Sequence, residues 1–343
     1  MKEQLLCPGI VSTRRRPVNL QPGDLELFEH EFQKKIPPSK LLELKNVRIS
    51  GDGFLFKGLD LLPISFAFPH LLDEWRLRSR IKFLLNNYLN KRQRSFQERA
   101  LWLVDDWSYG YFHWLADAVT RLYIMRARLD EYVLLLPHRY RELEFVEGSL
   151  NAFGLTNFEF IEPDETLLVE SLTVPMPTAP SGHYREEIIR GVRELLLKEY
   201  GSRPGRTGTR LYISRSAARK RRIQNEDELC CVLIEFGFDV LRAEELSFAD
   251  QVRITSDAEF MISNHGAGLT NMLFMRGGGS VLELRHKSDS VNNCYFTLSS
   301  ALELNYFYQT CEADSEDAHT ADLFVDVNQL RNNVTLMLNH NHL

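Results

Sequence analysis

The chain has 343 residues, 44% hydrophobic and 26% charged, and a formal net charge of −6. That length accommodates two domains of ordinary size, each with its own core, and the composition is that of a folded protein. The acidic balance argues against a general nucleic-acid binder, and the most apolar stretch, Leu61 to Leu72, contains Pro63 and Pro69 and falls short of the ~20 residues that cross a bilayer.

Regular patterning is weak over the first hundred residues, where apolar runs at Gly53 to Phe56 and Ile64 to Phe68 suggest an irregular or β-containing lead-in. From Leu101 to Val104 the sequence reads as a strand. The loop Asp105 to Gly110 follows, then a helix from about Tyr111 to Arg128 with an apolar face of Phe112, Leu115, Ala116, Val119, Leu122 and Tyr123. A strand at Tyr132 to Leu136, a helix near Arg141 to Phe153 and a strand at Phe158 to Ile161 continue the alternation, which implies a parallel sheet. Met176 to Gly182, rich in proline, interrupts it. The amphipathic helix Tyr184 to Tyr200 and the polar linker Gly201 to Gly208 come next, and a second alternation then begins. Its strands are Arg210 to Ser214, Phe238 to Leu241, Glu259 to Ser263 and Ser280 to Leu284. Asn225, with Glu228 as reciprocal partner, and Ser247, with Asp250, are expected to cap the intervening helices. Two Rossmann-like halves are the simplest architecture, with ligands bound beyond the carboxyl ends of the strands.

The most informative stretch is Asn264-His265-Gly266-Ala267-Gly268, where a buried strand runs into the helix-like Leu269 to Phe274. The first amides of a helix lack intrahelical partners and carry partial positive charge, so such a junction binds anions. The alternative is a tight turn whose glycines only supply positive φ. At the carboxyl end of the strand Leu211 to Ser214 stands Arg215, followed by Arg219, Lys220, Arg221 and Arg222. Arginine forks match phosphate oxygens, so Arg215 with one of the following arginines suits a diphosphate. Glu283, near the end of the last strand, is placed to accept the hydroxyls of a ribose. In the first half His113, Asp117 and Arg121 are spaced four apart, as on one helix ridge. Asp117 there either orients His113 or acts as the base itself, or else pairs with Arg121.

These stretches occur in one order: Gly110-Tyr111-Phe112-His113-Trp114-Leu115-Ala116-Asp117; Leu211-Tyr212-Ile213-Ser214-Arg215 with Arg222-Ile223-Gln224-Asn225-Glu226; and Asn264 to Met272 with Val281-Leu282-Glu283-Leu284. Together they resemble glycosyltransferase family 61 across roughly residues 100 to 290. The resemblance implies an α/β chain of GT-B type, two Rossmann-like domains facing a central cleft. It implies an inverting transfer from a nucleotide sugar, with a UDP-sugar as the expected donor, to a glycan or lipid-linked glycan, as in bacterial polysaccharide biosynthesis.

On this reading His113 and Asp117 are catalytic, and the donor lies on Arg215, Arg219, Arg222, His265, Gly266, Ala267, Gly268, Asn271 and Glu283. No Asp-x-Asp pair for a diphosphate-bound cation occurs in the sequence, so neither metal nor other cofactor is expected. The expected domains are 1–183 on the acceptor side, 184–320 for the donor, and 321–343 as a tail packing back on the N-terminal domain. The N-terminal twenty residues lack an apolar core of signal-peptide length, and the five cysteines show no metal-ligand spacing, which points to a cytoplasmic location. Arg14 to Arg16 would there allow contact with the inner face of the membrane. Two other classes stay open: a non-catalytic nucleotide- or carbohydrate-binding protein on the same fold, and a nucleotide-dependent oxidoreductase, which lacks the expected GxGxxG.

Overall fold

A computed structural model describes residues 2–74, 77–86, 91–201 and 209–340; the side chains at 71 and 73–80 lie outside it, as does most of the linker expected at Gly201 to Gly208. The chain divides into two compact units, one of residues Met1–Ile10 and Pro37–Ser181, the other of Val11–Ile36 and Gly182–Leu343. Among the described residues the strands run in chain order as β1 (Lys2–Cys7), β2 (Ile10–Thr13), β3 (Gln33–Ile36), β4 (Ser39–Ser50), β5 (Leu55–Lys57), β6 (Asp60–Leu61), β7 (Arg92–Leu101), β8 (Val133–Pro137), β9 (Phe158–Ile161), β10 (Glu165–Pro175), β11 (Thr209–Ser214), β12 (Asp239–Arg242), β13 (Ala258–Asn264), β14 (Ser280–His286), β15 (Asn305–Ala313) and β16 (Leu323–Phe324). No described helix is long and apolar enough to cross a membrane.

In the first unit the sheet order is β6-β5-β4-β10-β7-β8-β9, with β1 paired to β4. Strands β10, β7, β8 and β9 are mutually parallel, as the alternating pattern requires, while β4 runs antiparallel to β10. The lead-in is therefore β-rich and joins the sheet directly. The strand expected at Leu101 to Val104 lies earlier: β7 runs Arg92–Leu101 and buries only Phe96, Ala100 and Leu101 among exposed polar residues, which masks its period, and Trp102 to Val104 follow it outside the strand. Strand β10 has no counterpart in the predicted elements, although Leu167, Val169, Leu172 and Val174 are buried. It lies on the side of β7 away from β8, so the order reverses between β7 and β10. In open α/β sheets ligands bind beyond the carboxyl ends of the strands at such a reversal.

The second unit repeats the device. Its sheet order is β12-β11-β13-β14-β15-β16, parallel except for the last pair, and the reversal falls between β11 and β13. Residues Val11–Ile36, which the sequence reading assigns to the first domain, belong here. Val18 N–H donates to the Tyr306 carbonyl at 2.8 Å, and the Asn19 side chain pairs with both backbone groups of Tyr308, donating at 2.7 Å and accepting at 3.1 Å. The edge of β15 is thus covered, which blunts its tendency to pair elsewhere. Phe28 is fully buried, edge-on to Phe296 at 5.2 Å and Tyr308 at 4.8 Å. Four scattered apolar residues, Leu20, Leu27, Phe28 and Phe32, carry this docking, too few to register as a periodic signal.

The tail also differs from expectation. Helix Val327–His340 buries Leu330, Val334 and Met337 against Leu282, Leu284 and Phe307 of the second unit's own sheet, so it completes that core instead of returning to the first domain. Ser247 caps its helix by accepting from Asp250 N–H at 3.1 Å. Asn225 does not cap; its amide pairs with both backbone groups of Val325, tying the start of one helix to the segment before the tail. Phe28→Ala is expected to destabilise the protein by about 3–5 kcal/mol, the usual cost of emptying a buried aromatic site. A urea-unfolding series monitoring the second unit would detect it, and a shift under about 1 kcal/mol would contradict the docking of residues 11–36.

Candidate functional site

The first cluster lies beyond the carboxyl ends of β7 and β10. After β7 the chain passes through the buried Trp102, Leu103 and Val104 to Asp105, whose carboxylate organises the loop. Asp105 Oδ1 accepts from the Trp107 and Ser108 amides at 3.2 and 3.1 Å and from Ser108 Oγ at 2.8 Å, while Oδ2 accepts from Arg121 at 2.7 Å. Burial pushes this carboxyl up, but Arg121 and the loop donors outweigh burial and hold it below its usual value.

The following helix is not continuous. Tyr111–His113 is α-helical and Trp114–Ala118 forms a π turn, in which Val119 N–H donates to the Trp114 carbonyl five residues back; α-helix resumes over Val119–Met125. Such π turns concentrate at functional sites. The inserted residue rotates everything downstream by about 100° relative to an uninterrupted helix. His113 and Asp117 therefore still meet, with Nδ1 to Oδ2 at 2.8 Å, whereas Arg121 leaves their ridge and is buried against Asp105 and the Leu103 carbonyl. The expected Asp117–Arg121 pairing is replaced by the loop anchor.

Sequence reasoning missed Ser181. Because β10 is parallel to β7, the proline-rich segment after β10 emerges on the same side as the helix, and Ser181 Oγ donates to Asp117 Oδ2 at 2.8 Å and lies 3.3 Å from His113 Nδ1. A carboxylate only accepts, so the imidazole proton sits on Nδ1 and the Nε2 lone pair faces away. His113 Nε2 has no partner among the described residues. Thr120 Oγ1 donates to the Asp117 carbonyl at 2.7 Å, and Thr178 Oγ1 donates to Thr120 at 3.1 Å, so both side chain and backbone of Asp117 are held. The clamps on Asp117 thus fix the imidazole through Nδ1 and leave His113 Nε2 able to accept a proton.

The second cluster lies at the β11/β13 reversal. Gly266 has extended backbone, φ 161°, so it is not there to supply a left-handed turn. A Cβ at Gly266 would meet Arg215 Nη1 at 2.5 Å and Cζ at 2.6 Å, and one at Gly268 would meet Ile213 Cγ2 at 2.9 Å. Both glycines permit close approach, the first of a guanidinium and the second of the underlying strand. The 3-10 helix Ala267–Phe274 begins there; Leu269 N–H donates to the Gly266 carbonyl at 2.9 Å, while the Ala267 and Gly268 amides precede the first helical acceptor. Arg215 makes one weak side-chain bond, to the Lys220 carbonyl at 3.4 Å, and its Nε is buried without a partner. Burial, reinforced by neighbouring Arg221, lowers its pKa.

Arg221 is a residue that sequence reasoning did not single out. It adopts a left-handed backbone, φ 57°, its Nε is also buried and unpartnered, and Asn264 Nδ2 donates to its carbonyl. Nothing in a run of four basic residues shows which one turns inward. Among the described residues neither guanidinium has a carboxylate partner, and such a pair beside unpaired amides is chemically suited to an anion.

The remaining predicted residues divide. His265 Nδ1 is hydrogen-bonded to Glu283 and its ring stands edge-on to buried Tyr295 at 5.0 Å, which leaves Nε2 without a partner among the described residues. Glu283 is fully buried and its other oxygen accepts from Tyr306, so it positions His265, and a ribose-binding role does not fit. Burial would raise the Glu283 carboxyl, but His265, Arg285 and Tyr306 together bring it below the usual 4.5. Arg222 is committed to Asp322 at 2.8 Å. Asn271 is 2% exposed and bonds Gln251 at 3.2 Å, inside the packing. Ala267 and Arg219 are exposed, and Arg219 has no hydrogen bond or ion pair among the described residues.

The glycosyltransferase 61 family model matches residues 111–282. The EGF domain-specific O-linked N-acetylglucosamine transferase of Mus musculus is 32% identical over 120 residues, 34% of this chain and 22% of that protein. Its Drosophila melanogaster counterpart is 37% identical over 98 residues, 28% of this chain and 18% of that protein. A beta-1,2-xylosyltransferase of Oryza sativa subsp. japonica is 25% identical over 197 residues, 51% of this chain and 34% of that protein. The matched part of the chain thus spans about a fifth to a third of these relatives.

Gly266→Ala is expected to push Arg215 from its place and weaken binding of inorganic pyrophosphate by about tenfold or more, the worth of one charged hydrogen bond. Calorimetric titration of the folded variant reads this, and unchanged affinity would contradict the anion site. A depressed carboxyl contributes stability above its unfolded pKa that is lost as pH falls through the folded one. Unfolding midpoints of the wild type should therefore drop below pH 4.5, and Glu283→Gln should show a shallower drop over the same window. Equal slopes would remove Glu283 from the account.

Proposed function

The chain belongs to the glycosyltransferase 61 family, and from that premise we propose that it is an inverting glycosyltransferase of GT-B type. It moves a sugar from a nucleoside-diphosphate sugar, a UDP-sugar foremost, to a hydroxyl of a glycan or lipid-linked glycan. The observation that carries this reading is the His113 arrangement: Nδ1 held by Asp117, Asp117 held by Ser181, and Nε2 open at the strand reversal of the first unit.

In the proposed reaction His113 Nε2 takes the proton of the acceptor hydroxyl as its oxygen attacks the anomeric carbon. The bond from that carbon to the diphosphate oxygen breaks with its electron pair, and the configuration inverts. Asp117 keeps the imidazole in the productive tautomer and stabilises the imidazolium that forms. The departing diphosphate places its charge against Arg215, Arg221 and the amides that open helix Ala267–Phe274, with His265 beside them. Metal independence is part of the proposal: two unpaired guanidiniums supply the charge that an Asp-x-Asp-bound cation would otherwise bring. The family assignment leaves the oxidoreductase alternative without support, and the open Nε2 of His113 speaks against a purely binding role.

His113→Ala should lower transfer by about 10²–10⁴-fold, the usual contribution of a positioned base, while leaving nucleoside diphosphate affinity within twofold. Ser181→Ala removes one of the two side-chain donors to Asp117 and should give a smaller loss, of about tenfold, in kcat with little change in donor KM. Transfer assays with UDP-sugars and parallel nucleotide titrations decide this. Normal turnover by His113→Ala would rule out the assigned base.

A further inference from the structure

We infer that Asp106 and Trp107, in the loop between β7 and the His113 helix, form the acceptor subsite, and that the acceptor unit bound there is a pyranose. The inference rests on His113 being the base and names what stands next to it.

The loop is built to present these two side chains. Asp105 accepts three hydrogen bonds from Trp107 and Ser108 and is pinned from behind by Arg121, so the backbone at 106–107 has little freedom. Asp106 N–H is itself bonded to the Ser65 carbonyl at 3.0 Å. Held in this way, Trp107 keeps 41% of its surface open although it is among the largest apolar side chains. It stands edge-on to Phe68 at 4.7 Å and to His113 at 4.9 Å, so its indole adjoins the base. Trp102, Trp114 and Tyr140 of the same unit are buried to within 1%, whereas Tyr109 of the same loop is 44% exposed but does not stand against His113. An indole kept open at one side of a catalytic imidazole needs an occupant whose apolar surface is flat and of ring size.

Asp106 supplies the polar partner. Its Oδ1 accepts from the Ala67 amide at 2.9 Å, and no described residue takes Oδ2. Partial burial raises its pKa, so this carboxylate is short of water and gains from a hydroxyl donor. A pyranose meets both demands: one face of C–H bonds lies against the electron-rich face of an aromatic ring, and hydroxyls around the rim donate to carboxylates. Stacking on Trp107 with a hydroxyl on Asp106 brings a neighbouring hydroxyl of the same ring towards His113 Nε2.

The test uses the full chain and a set of methyl pyranosides (glucoside, galactoside, mannoside, xyloside and N-acetylglucosaminide), read by saturation-transfer NMR and tryptophan fluorescence titration, with the thermal midpoint as the control for folding. At least one pyranoside should bind the wild type with saturation transfer to its ring C–H protons. Trp107→Ala should weaken it at least tenfold and Asp106→Asn at least threefold. Trp107→Phe, which keeps a ring against His113 and Phe68, should fall between wild type and Trp107→Ala, and it decides the matter if Trp107→Ala does not fold. Pyranoside binding that is unchanged in Trp107→Ala or Trp107→Phe would overturn the inference. So would a wild type that binds none of the set, whether or not it binds a serine- or threonine-containing peptide. Because binding is read without turnover, failure of the base assignment has a different signature: His113→Ala would transfer normally while pyranoside binding still depended on Trp107.

Discussion

In each unit an imidazole is fixed through Nδ1 by a carboxylate, and the chemistry assigned to the protein depends on that bond. Asp117 holds His113, and Glu283 holds His265. A carboxylate in this position removes the choice of tautomer and leaves the lone pair on Nε2. The two clamps are supported differently. Asp117 is half-enclosed and steadied by Ser181 and Thr120, while Glu283 is fully buried and depends on Tyr306 and His265 to satisfy its oxygens. The first arrangement suits a group that exchanges a proton. The second suits a fixed neighbour of an anion, since removing any partner leaves a buried charge exposed to desolvation cost.

Topology explains why these clamps stand where they do. Each of the two large sheets reverses its strand order, between β7 and β10 and between β11 and β13, and the side chains of the two clusters follow the carboxyl ends of those strands. Ser181 follows β10 and His113 follows β7; Arg215 follows β11 and His265 follows β13. A reversal leaves adjoining loops diverging to opposite faces of the sheet, which opens room for a ligand. Local irregularity then tunes the positions. The π turn at Trp114–Ala118 turns Arg121 off the His113 ridge so that it anchors the Asp105 loop, and the extended Gly266 lets Arg215 cross the backbone.

Much of this was legible in the sequence because hydrophobic periodicity and glycine placement report directly on buried strands and tight junctions. The parallel strands β8, β9, β11, β13 and β14 appear at their expected places, and the His113–Asp117 spacing correctly signals contact. Other features depend on tertiary context. Strand β10 mixes Glu165, Glu170 and Ser171 into its apolar run, and residues 11–36 dock through isolated aromatics, so neither has a period to read. Glu283 reads as available for a ribose because it stands near the end of a strand; only the partners His265 and Tyr306 show it to be enclosed. Arg221 rather than Arg222 faces inward because its backbone turns left-handed and Asp322 holds the neighbour, facts of conformation that composition does not carry.

A single displacement with His113 as base makes one commitment about stereochemistry that no structural role can imitate. Proton NMR of the first-formed product, taken before any mutarotation, reports the coupling at the transferred anomeric carbon. Opposite configuration to that of the donor is the result the account predicts. Retention of the donor configuration would contradict it, because it would require either two displacements or a front-face mechanism in which His113 does not serve as the base.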